Sequence, residues 1–346
     1  MRAVVFESVC EVRVTDVPDA GIEEPGDAVV RVTRTAICGS DLHFFHGKAP
    51  IDPGDVLGHE AVGIVKAVGT GVERFSPGDR VVVAFNIACG ACWFCRRGEM
   101  QLCDDFRNLG AGAFGGSLAG AQATHVRVPT ADVNLLRIPD EVDDERALFV
   151  GDILTTGLYA ASIAEIEPGS VVAVVGCGPV GFFCIQAARA IGAGQVFAID
   201  LEPGRLELAA SVGAVPVNAR ERHPVSALAE ATDGRGADVV LEAVGSPSAY
   251  ESALGMVRRG GRVVVVGVYA GESVEMQLGV YWARALTIRF SGICPVHAWW
   301  ERAMDEVIAG RVDPSPLISH RLPLEEAAHG YALFDRREAT KVVLMP

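Results

Sequence analysis

Four cysteines lie close together between residues 89 and 103. In the stretch CGACWFCRRGEMQLC they follow the spacing C-x2-C-x2-C-x7-C, as Cys89, Cys92, Cys95 and Cys103. Four thiolates complete the tetrahedral shell that Zn2+ prefers and leave no position for a substrate. The spacing therefore predicts a structural zinc site in a lobe over residues 86–104. A disulfide or a reactive thiol is the alternative that the cysteines leave open.

A second set of possible metal ligands is dispersed along the chain. It consists of Cys38 in AICGSDLHFFHG, His59 and Glu60 in LGHEAVGIV, and Asp152 in GDILTTG. Cysteine, histidine and aspartate all bind zinc, and three such ligands with one open position are typical of a catalytic site. The spacing alone leaves two alternatives open. His59 and Glu60 can be an ordinary polar pair, and Asp152 can cap the helix predicted directly after it.

A glycine-rich turn points to a dinucleotide. The apolar run VVAVV leads into GCGPVG, which places Gly176, Gly178 and Gly181 in the G-x-G-x-x-G spacing. Such glycines allow a tight turn and close approach of a pyrophosphate to a helix N-terminus. Asp200 ends the next apolar run, QVFAID, where a carboxylate can bind ribose hydroxyls. Because this carboxylate would repel the additional phosphate of NADP, we expect NAD as the cofactor.

The elements that position these residues fall into two kinds. Before about residue 150, short apolar runs such as AVGIVKAVG and DRVVVAF are separated by Gly and Pro turns, which predicts an antiparallel β domain or barrel. After it, apolar strands alternate with helical stretches, which predicts a doubly wound parallel sheet. The last 50 or so residues contain two helix candidates, HAWWERAMDEVIAG and PLEEAAHGYALFDR, and a final strand, KVVLMP.

The length and composition fit a protein of two domains whose partners are small molecules. The chain has 346 residues, 50% of them hydrophobic, and a net charge of −14 that opposes binding to nucleic acid or anionic membranes. Its beginning does not resemble a signal peptide, and glycines and Pro179 interrupt the one long apolar run, residues 171–188. Clustered cysteines without a secretory signal indicate a reducing compartment. We therefore expect a cytoplasmic protein with neither a nucleic acid nor a membrane as its partner.

Taken together and in this order, the motifs resemble the zinc-dependent medium-chain alcohol dehydrogenases over nearly the whole chain. The resemblance depends on CGSDLH, GHEAVGIVKAVGTGVERFSPGDRV, the four-cysteine lobe, the TTG after Asp152, and GCGPVG with Asp200. Within that family the chain is most similar to the formaldehyde-dehydrogenase-like bacterial branch. The resemblance implies an α/β protein with a GroES-like β-rich catalytic domain at 1–153, a Rossmann NAD-binding domain at 154–293, and a return to the catalytic domain at 294–346.

The resemblance also assigns the dispersed ligands. Cys38 and His59 match the first two ligands of the catalytic zinc, Asp152 falls at the third, and Glu60 matches a glutamate beside the metal that can enter its coordination. Many relatives have cysteine where this chain has Asp152, although some bacterial secondary-alcohol dehydrogenases also use aspartate. We therefore expect two zinc ions per chain, one catalytic and one structural.

The implied reaction is hydride transfer between an alcohol, or its aldehyde or ketone, and NAD. Zinc would lower the pKa of the alcohol as a Lewis acid. By resemblance, Ser40 accepts the proton and His43 releases it to solvent, and the nearby His46 is an alternative for the second step. Three further residues match cofactor contacts by resemblance: Thr156 and Val180 at the nicotinamide, and Arg205 beside the adenosine ribose.

Two other functions remain open. One is a zinc dehydrogenase of a polyol, a sugar or an amino alcohol of the threonine type, which pocket polarity near Phe85, Asn108 and Tyr269 would decide. The other is an NAD-binding protein without turnover, which intact Cys38 and His59 argue against. Relatives form dimers or tetramers, and GVYWARALTIRF offers a sheet edge for pairing, so a homo-oligomer is expected. The particular substrate, the physiological direction and the number of subunits do not follow from the sequence.

Overall fold

The chain forms two compact units. The structure, a computed structural model, describes residues 1–269, 271 and 273–346, with the backbone alone at residue 114. The first unit contains residues 1–155 and 295–346, and the second contains residues 156–294. Since the first unit is formed from two distant stretches of the chain, its sheet brings together residues from both ends of the sequence.

Three stretches of the chain contain the strands and helices. Residues 1–152 form β1 (Arg2–Ser8), β2 (Glu11–Asp16), β3 (Ala28–Ile37), α1 (Asp41–Phe45), β4 (Glu60–Val68), β5 (Arg80–Val83), β6 (Asn86–Ile87), β7 (Arg107–Asn108), β8 (His125–Val128), α2 (Ala131–Asn134), β9 (Leu135–Arg137) and α3 (Asp144–Leu148). Residues 153–294 form α4 (Ile153–Ile163), β10 (Val171–Val175), α5 (Pro179–Ile191), β11 (Gln195–Asp200), α6 (Pro203–Ser211), β12 (Val215–Asn218), α7 (Pro224–Ala231), β13 (Ala237–Glu242), α8 (Pro247–Met256), β14 (Val257–Val265), α9 (Leu278–Ala283) and β15 (Thr287–Phe290). Residues 295–346 form α10 (Val296–Ile308), β16 (His320–Pro323), α11 (Ala327–Asp335) and β17 (Val342–Met345).

A mostly antiparallel sheet organises the first unit. Its strand order is β16-β17-β3-β4-β5-β9, with β8 also pairing with β3. Valines at alternate positions, such as Val81 and Val83, face one side and build a core there, as the period of two in a strand requires. The register pairs Ala36 with Glu60 and Ile37 with Val342. One end of this sheet therefore joins the end of β3, the start of β4 and the start of β17.

The second unit is a parallel sheet with helices. Its strand order is β12-β11-β10-β13-β14-β15, so the chain reverses its direction of travel across the sheet beside the central strand β10. All five residues of β10 are buried, which explains its uninterrupted apolar sequence. Val175 pairs with Ile199, so the carboxyl ends of β10 and β11 lie side by side. Ligands of such sheets bind outside the carboxyl ends of strands where the order reverses.

The long apolar run at residues 171–188 does not form one segment. It divides into β10, the glycine turn and most of α5. Among the described residues, none of the helices combines the length and the apolarity that crossing a bilayer requires. In the C-terminal stretch, α10 buries Trp300, Ala303, Met304 and Val307, which are spaced to share one helical face.

Candidate metal and nucleotide sites

The four cysteines of the predicted lobe converge on one point. Their sulfur atoms all lie within 4.8 Å of one another, and Cys89 Sγ is 3.9 Å from Cys95 Sγ. All four are free thiols. Backbone N–H groups point at the sulfurs, including those of Cys92 and Ala91 at 3.4 Å from Cys89 Sγ. This geometry is compatible with a cation bound by four thiolates, and it opposes the disulfide alternative.

The electrostatics of this lobe differ from one thiol to the next. Backbone N–H groups of Cys95 and Asp104 lower the pKa of Cys92 to about 6, whereas burial raises the pKa of Cys95 to about 12. Four negative sulfurs so close together repel one another strongly unless a cation lies between them. The donor set therefore fits a divalent zinc ion, which binds thiolates and no thiols.

A buried amide anchors the chain where it enters this lobe. Asn134 Oδ1 accepts the N–H of Ala88 at 2.9 Å, and its Nδ2 donates to the carbonyl oxygen of Ala88 at 2.9 Å. His297 of α10 is also bonded to Asn134, with its Nε2 2.8 Å from Oδ1. The residue before Cys89 is thus fixed by α2 and, through His297, by the C-terminal stretch.

The dispersed ligands also converge. Cys38 follows β3, His59 precedes β4, Glu60 begins it, and Asp152 directly precedes α4, yet one ligand atom from each lies within 4.8 Å of the others. Asp152 Oδ2 is 3.3 Å from His59 Nε2 and 4.0 Å from Cys38 Sγ. All four residues are buried. The register of the first unit's sheet places the segment of Cys38 beside that of His59 and Glu60, because Ala36 pairs with Glu60.

Asp41 is a buried carboxylate behind His59, and the sequence analysis did not single it out. Its Oδ1 lies 3.0 Å from His59 Nδ1, and its Oδ2 accepts the N–H of Cys38 at 2.9 Å. Burial opposes the charged imidazole, but the carboxylates of Asp41 and Asp152 outweigh it and hold the pKa of His59 well above its usual value. Asp41 therefore orients the ring, leaving Nε2 directed toward Asp152. Its place in the CGSD motif was the one available signal.

Lys341 is a second residue that the sequence analysis missed. It is fully buried, its Nζ donates to Glu60 Oε1 at 2.7 Å, and the same Nζ lies 5.7 Å from the centre of the Phe149 ring. Among the described residues, Glu60 Oε2 has no hydrogen-bond partner. A lysine at the start of an apolar strand, 281 residues from its partner, gives no local sign of this role.

The cluster fits a divalent cation. Cys38, Asp41, Glu60 and Asp152 can each become negatively charged, and Lys341 Nζ contacts one of them, Glu60. Burial raises the pKa of the Cys38 thiol, so its ionisation requires further positive charge, and the unbonded oxygen of Glu60 is a donor that a metal ion would satisfy. The mixture of sulfur, imidazole and carboxylate is within the range of ligands that zinc accepts.

The two residues of the predicted proton relay lie at α1, Ser40 directly before it and His43 on it. Ser40 Oγ lies 3.1 Å from His59 Nε2, at the dispersed ligand cluster. His43 is on α1, where burial and then the positive charges of Lys48 and His46 lower its pKa. His46 Nε2 lies 2.8 Å from Asp335 Oδ1. This ion-pair geometry leaves His43 as the better candidate of the two for moving a proton.

The glycine turn has the shape that a pyrophosphate needs. Gly176 has a φ of +87°, and a Cβ on Gly181 would lie 1.8 Å from the carbonyl oxygen of Gly176. At Gly178, in contrast, a Cβ would meet only the guanidinium of Arg205, at 3.7 Å. Gly178 precedes α5, and no side chain caps that helix end. The first and third glycines are required by packing, while the second leaves space open at the helix N-terminus.

Asp200 lies beside this turn as predicted from the sequence. Its Oδ2 accepts the N–H of Cys177 at 2.7 Å, its Oδ1 accepts those of Leu201 and Glu202, and Arg205 Nη1 lies 3.9 Å from Oδ2. Val180 is in the first turn of α5, and Thr156 is on α4 in the same unit. The uncapped helix, the open space at Gly178 and a fixed carboxylate together fit a dinucleotide.

The fold and these sites define a zinc-dependent dehydrogenase with a nicotinamide cofactor, and comparison with known proteins agrees. Residues 24–140 match the alcohol dehydrogenase GroES-like domain, and residues 179–309 match the zinc-binding dehydrogenase domain. The chain therefore belongs to the zinc-type alcohol dehydrogenase family, whose members are NAD(P)-dependent oxidoreductases. The predicted fold class, enzyme class and general reaction are confirmed.

Three similar proteins illustrate the relationship. The alcohol dehydrogenase TADH from Thermus sp. ATN1 is 47% identical, with a TM-score of 0.95 over 100% of this chain and 99% of that one. The uncharacterized zinc-type alcohol dehydrogenase-like protein AdhB of Bacillus subtilis is 40% identical over 100% of both chains. A zinc-binding dehydrogenase from Sinorhizobium meliloti, solved with NADP, is 33% identical, with a TM-score of 0.87 over 100% of this chain and 99% of that one.

Proposed function

We propose that this enzyme oxidises a small alcohol, or reduces the corresponding carbonyl, with NAD at a catalytic zinc bound by Cys38, His59 and Asp152, and that Cys89, Cys92, Cys95 and Cys103 bind a second, structural zinc. One observation carries the proposal: donor atoms from three separate segments lie within 4.8 Å of one another. When bound, zinc supplies Lewis acidity that lowers the pKa of an alcohol, and NAD accepts the hydride.

The chain's own residues supply the remaining steps. Asp41 fixes the imidazole of His59, Ser40 receives the hydroxyl proton of the substrate, and His43, whose pKa burial lowers, accepts that proton on its ring and releases it to solvent. Glu60 stays close to the metal ligands through its pairing with Lys341. Replacing His43 with Ala should lower kcat most at acidic pH, where solvent offers little base. An unchanged pH profile would remove His43 from the relay.

The Asp152→Asn variant tests the metal assignment against helix capping. Asparagine caps helices as well as aspartate does, so a cap would survive the change. A charged zinc ligand would be lost, and we expect one zinc per chain instead of two with kcat at least about a hundredfold lower. Asp143→Asn is the matched control, because Asp143 Oδ1 caps α3 by accepting the N–H of Arg146. Two zincs and near-normal turnover in Asp152→Asn would disprove the ligand role.

The preference for NAD over NADP is argued from Asp200. Its carboxylate ends β11 beside the glycine turn, where it would accept ribose hydroxyls and repel a 2′-phosphate. The neighbouring Arg205 and the NADP bound to the Sinorhizobium relative are the arguments for the opposite preference. The ratio of kcat/KM for the two cofactors decides, and a preference for NADP would reject this role of Asp200.

A polar substrate is the second candidate, and two amides favour it. Asn86 follows Phe85, whose ring centre is 6.3 Å from that of His59, and Asn86 pairs with Asn108 across β6 and β7. Among the described residues, neither polar atom of the buried Asn86 side chain has a partner, nor has Asn108 Oδ1. A substrate with a second hydroxyl, such as a polyol, would satisfy them. Screening NAD reduction by primary, secondary and polyol alcohols and by aldehydes separates these classes.

The same screen tests the proposed subgroup. We place the chain in the formaldehyde-dehydrogenase-like branch because of its FNIACGACWFC lobe. Activity on aldehydes and small primary alcohols would support that placement, and activity confined to polyols would oppose it. Cysteines that bind zinc must stay reduced, and a reducing compartment keeps them so, which supports the cytoplasm as the location.

Self-association is proposed through one edge of the second unit's sheet. β15 is the last strand of the order, and apolar side chains are exposed on and beside it. They include Leu278, Val280, Trp282 and Phe290, of which Trp282 is 84% exposed. An apolar sheet edge of this kind favours pairing with a second copy, as a homodimer or a homotetramer.

A further inference from the structure

A buried chain of hydrogen bonds leads from the C-terminal stretch to the metal cluster. Tyr331, on α11, donates its hydroxyl proton to Gln122 Oε1 at 2.9 Å. Gln122 Nε2 donates in turn to Asp41 Oδ2 at 3.2 Å and to the carbonyl oxygen of Ala36 at 3.1 Å. Asp41 in turn contacts His59 Nδ1. Tyr331, Gln122 and Asp41 are all 0% exposed, so no water competes for these bonds.

Three neighbours of Gln122 determine which way its amide faces. The Asp41 carboxylate and the carbonyl oxygen of Ala36 can only accept, so they require the NH2 group on their side, and the Tyr331 hydroxyl donates to Oε1 and anchors it on the other side. The reverse orientation would set the amide oxygen against the Asp41 carboxylate, which is repulsive in a buried site. The amide therefore holds the Asp41 carboxylate in position.

The backbone before His59 is shaped to admit this amide. Gly58 has a φ of +93°, and a Cβ there would lie 2.3 Å from Gln122 Cγ and 2.9 Å from its backbone nitrogen. The glutamine thus packs directly on the residue that precedes a metal ligand. Its side chain contacts both segments that hold the imidazole, the turn at Gly58 and the carboxylate of Asp41.

We propose that Gln122 and Tyr331 are positioning residues for the catalytic metal: Tyr331 orients the Gln122 amide, which holds Asp41 and through it the ring of His59. The inference rests on the proposed assignment of Cys38, His59 and Asp152 as metal ligands. It goes beyond that assignment, because neither residue approaches the metal donors directly. Hydrogen-bonding partners behind metal ligands commonly change metal affinity by about 10- to 100-fold.

The test measures metal release from the zinc-loaded enzyme into a chelating indicator. The wild type should release two ions in two phases, and the Cys38→Ser variant identifies the phase of the dispersed site because it lacks that phase. We expect Gln122→Leu to accelerate this phase by about tenfold and Tyr331→Phe by about threefold, with the release from the cysteine lobe unchanged. Tyr250→Phe is the matched control. Tyr250 is a buried tyrosine of the second unit whose hydroxyl has no partner among the described residues, so both phases should stay as they are.

A spectrum separates positioning from general stability. With Co2+ in place of Zn2+, the visible absorption bands report the ligand geometry, and Gln122→Leu and Tyr331→Phe should shift the bands of the dispersed site alone. Wild-type release rates and spectra in both variants would overturn the inference, as would equal acceleration of both phases. If Gln122→Leu does not fold, Tyr331→Phe alone decides. A wild-type enzyme that binds only the lobe metal would overturn the ligand assignment itself, and this inference with it.

Discussion

The ion pair of Lys341 with Glu60 is the most deeply buried charge interaction beside the candidate metal site. Both side chains are 0% exposed, and Lys341 Nζ has Glu60 Oε1 at 2.7 Å. Removing two ions from water costs several kcal/mol each, so the pair holds only while both members are present. The pair therefore fixes the position of Glu60 and adds little to the net stability of the fold.

Replacing Lys341 with Met should destabilise the protein strongly. The change leaves Oε1 of the buried Glu60 carboxylate without its ammonium partner, which costs about 3–5 kcal/mol of unfolding free energy. The double variant Glu60→Gln with Lys341→Met removes both charges and should recover most of the loss. Urea unfolding of the two variants and of Glu60→Gln completes the cycle. Equal stability of Lys341→Met and the wild type would show that Glu60 is neutral in the folded protein.

Residues that lie close together in sequence were the most predictable part of the sites. The four cysteines define their cluster by spacing alone, and the structure brings their sulfurs together. Asp152 needed the family resemblance, because its spacing fits a helix cap equally well. Lys341 and Gln122 were not predicted, since each acts on a residue more than 80 positions away. Only the register of the sheet brings such residues into contact.

At the scale of elements, two glycines of the turn between β10 and α5 have different roles, one in packing and one in binding the cofactor. The Gly181→Ala variant would place a Cβ 1.8 Å from the carbonyl oxygen of Gly176, so the turn must open. We expect a loss of about 1–3 kcal/mol in unfolding free energy. Gly178→Ala meets only Arg205, at 3.7 Å, and its φ of −66° suits alanine. It should keep its stability and raise KM for NAD.

Thermal unfolding and cofactor kinetics of the two alanine variants check this separation. The decisive result is the contrast between them, because both add the same methyl group within one turn. If Gly178→Ala bound NAD as the wild type does, the pyrophosphate would have to lie elsewhere than at this helix end.

The start of α10 gives the fold a dependence on pH. Burial lowers the pKa of His297 to about 4, and its Nδ1 has no partner among the described residues. Because the unfolded chain binds this proton near pH 6.5, stability is complete above that pH and falls as the pH drops toward 4. At pH 5 the loss attributable to His297 should be about 2 kcal/mol.

The matched variant His297→Gln keeps a donor for Asn134 and cannot titrate. Comparing urea unfolding of the wild type and this variant at pH 7.5 and pH 5 isolates the histidine from other acid effects. The wild type should lose more stability than the variant over this interval. Parallel losses in both would show that the ring accepts a proton without cost in the folded state.

Element types followed from periodicity, whereas their pairing did not. The parallel sheet was predicted because its strands are short apolar runs separated by helices, and β10 is apolar throughout as a central strand must be. No local pattern shows that β17 pairs with β3 beside Ile37. That pairing joins residues about 300 positions apart, and it places Lys341 beside Glu60.

At the scale of the whole molecule, the apolar edge of the second unit predicts self-association. The chain has a mass of 36.5 kDa, so light scattering should give about twice or four times that value. Trp282→Glu places a charge at the edge and should shift the mass toward that of a monomer. Trp93→Glu is the control, since Trp93 is also exposed, at 59%, but lies in the cysteine lobe. A monomeric wild type would refute the proposal.

The discontinuity of the first unit has a consequence for synthesis on the ribosome. Glu60, Asp41 and the sheet strands around them are made early, but Lys341 and Tyr331, which complete their surroundings, are made only after the entire second unit. During that interval a nascent chain has an unneutralised carboxylate and an unfinished sheet edge. The dispersed cluster therefore cannot reach its final surroundings before residues 295–346 are made, whereas the four cysteines, which span 15 residues, can come together while the second unit is still being synthesised.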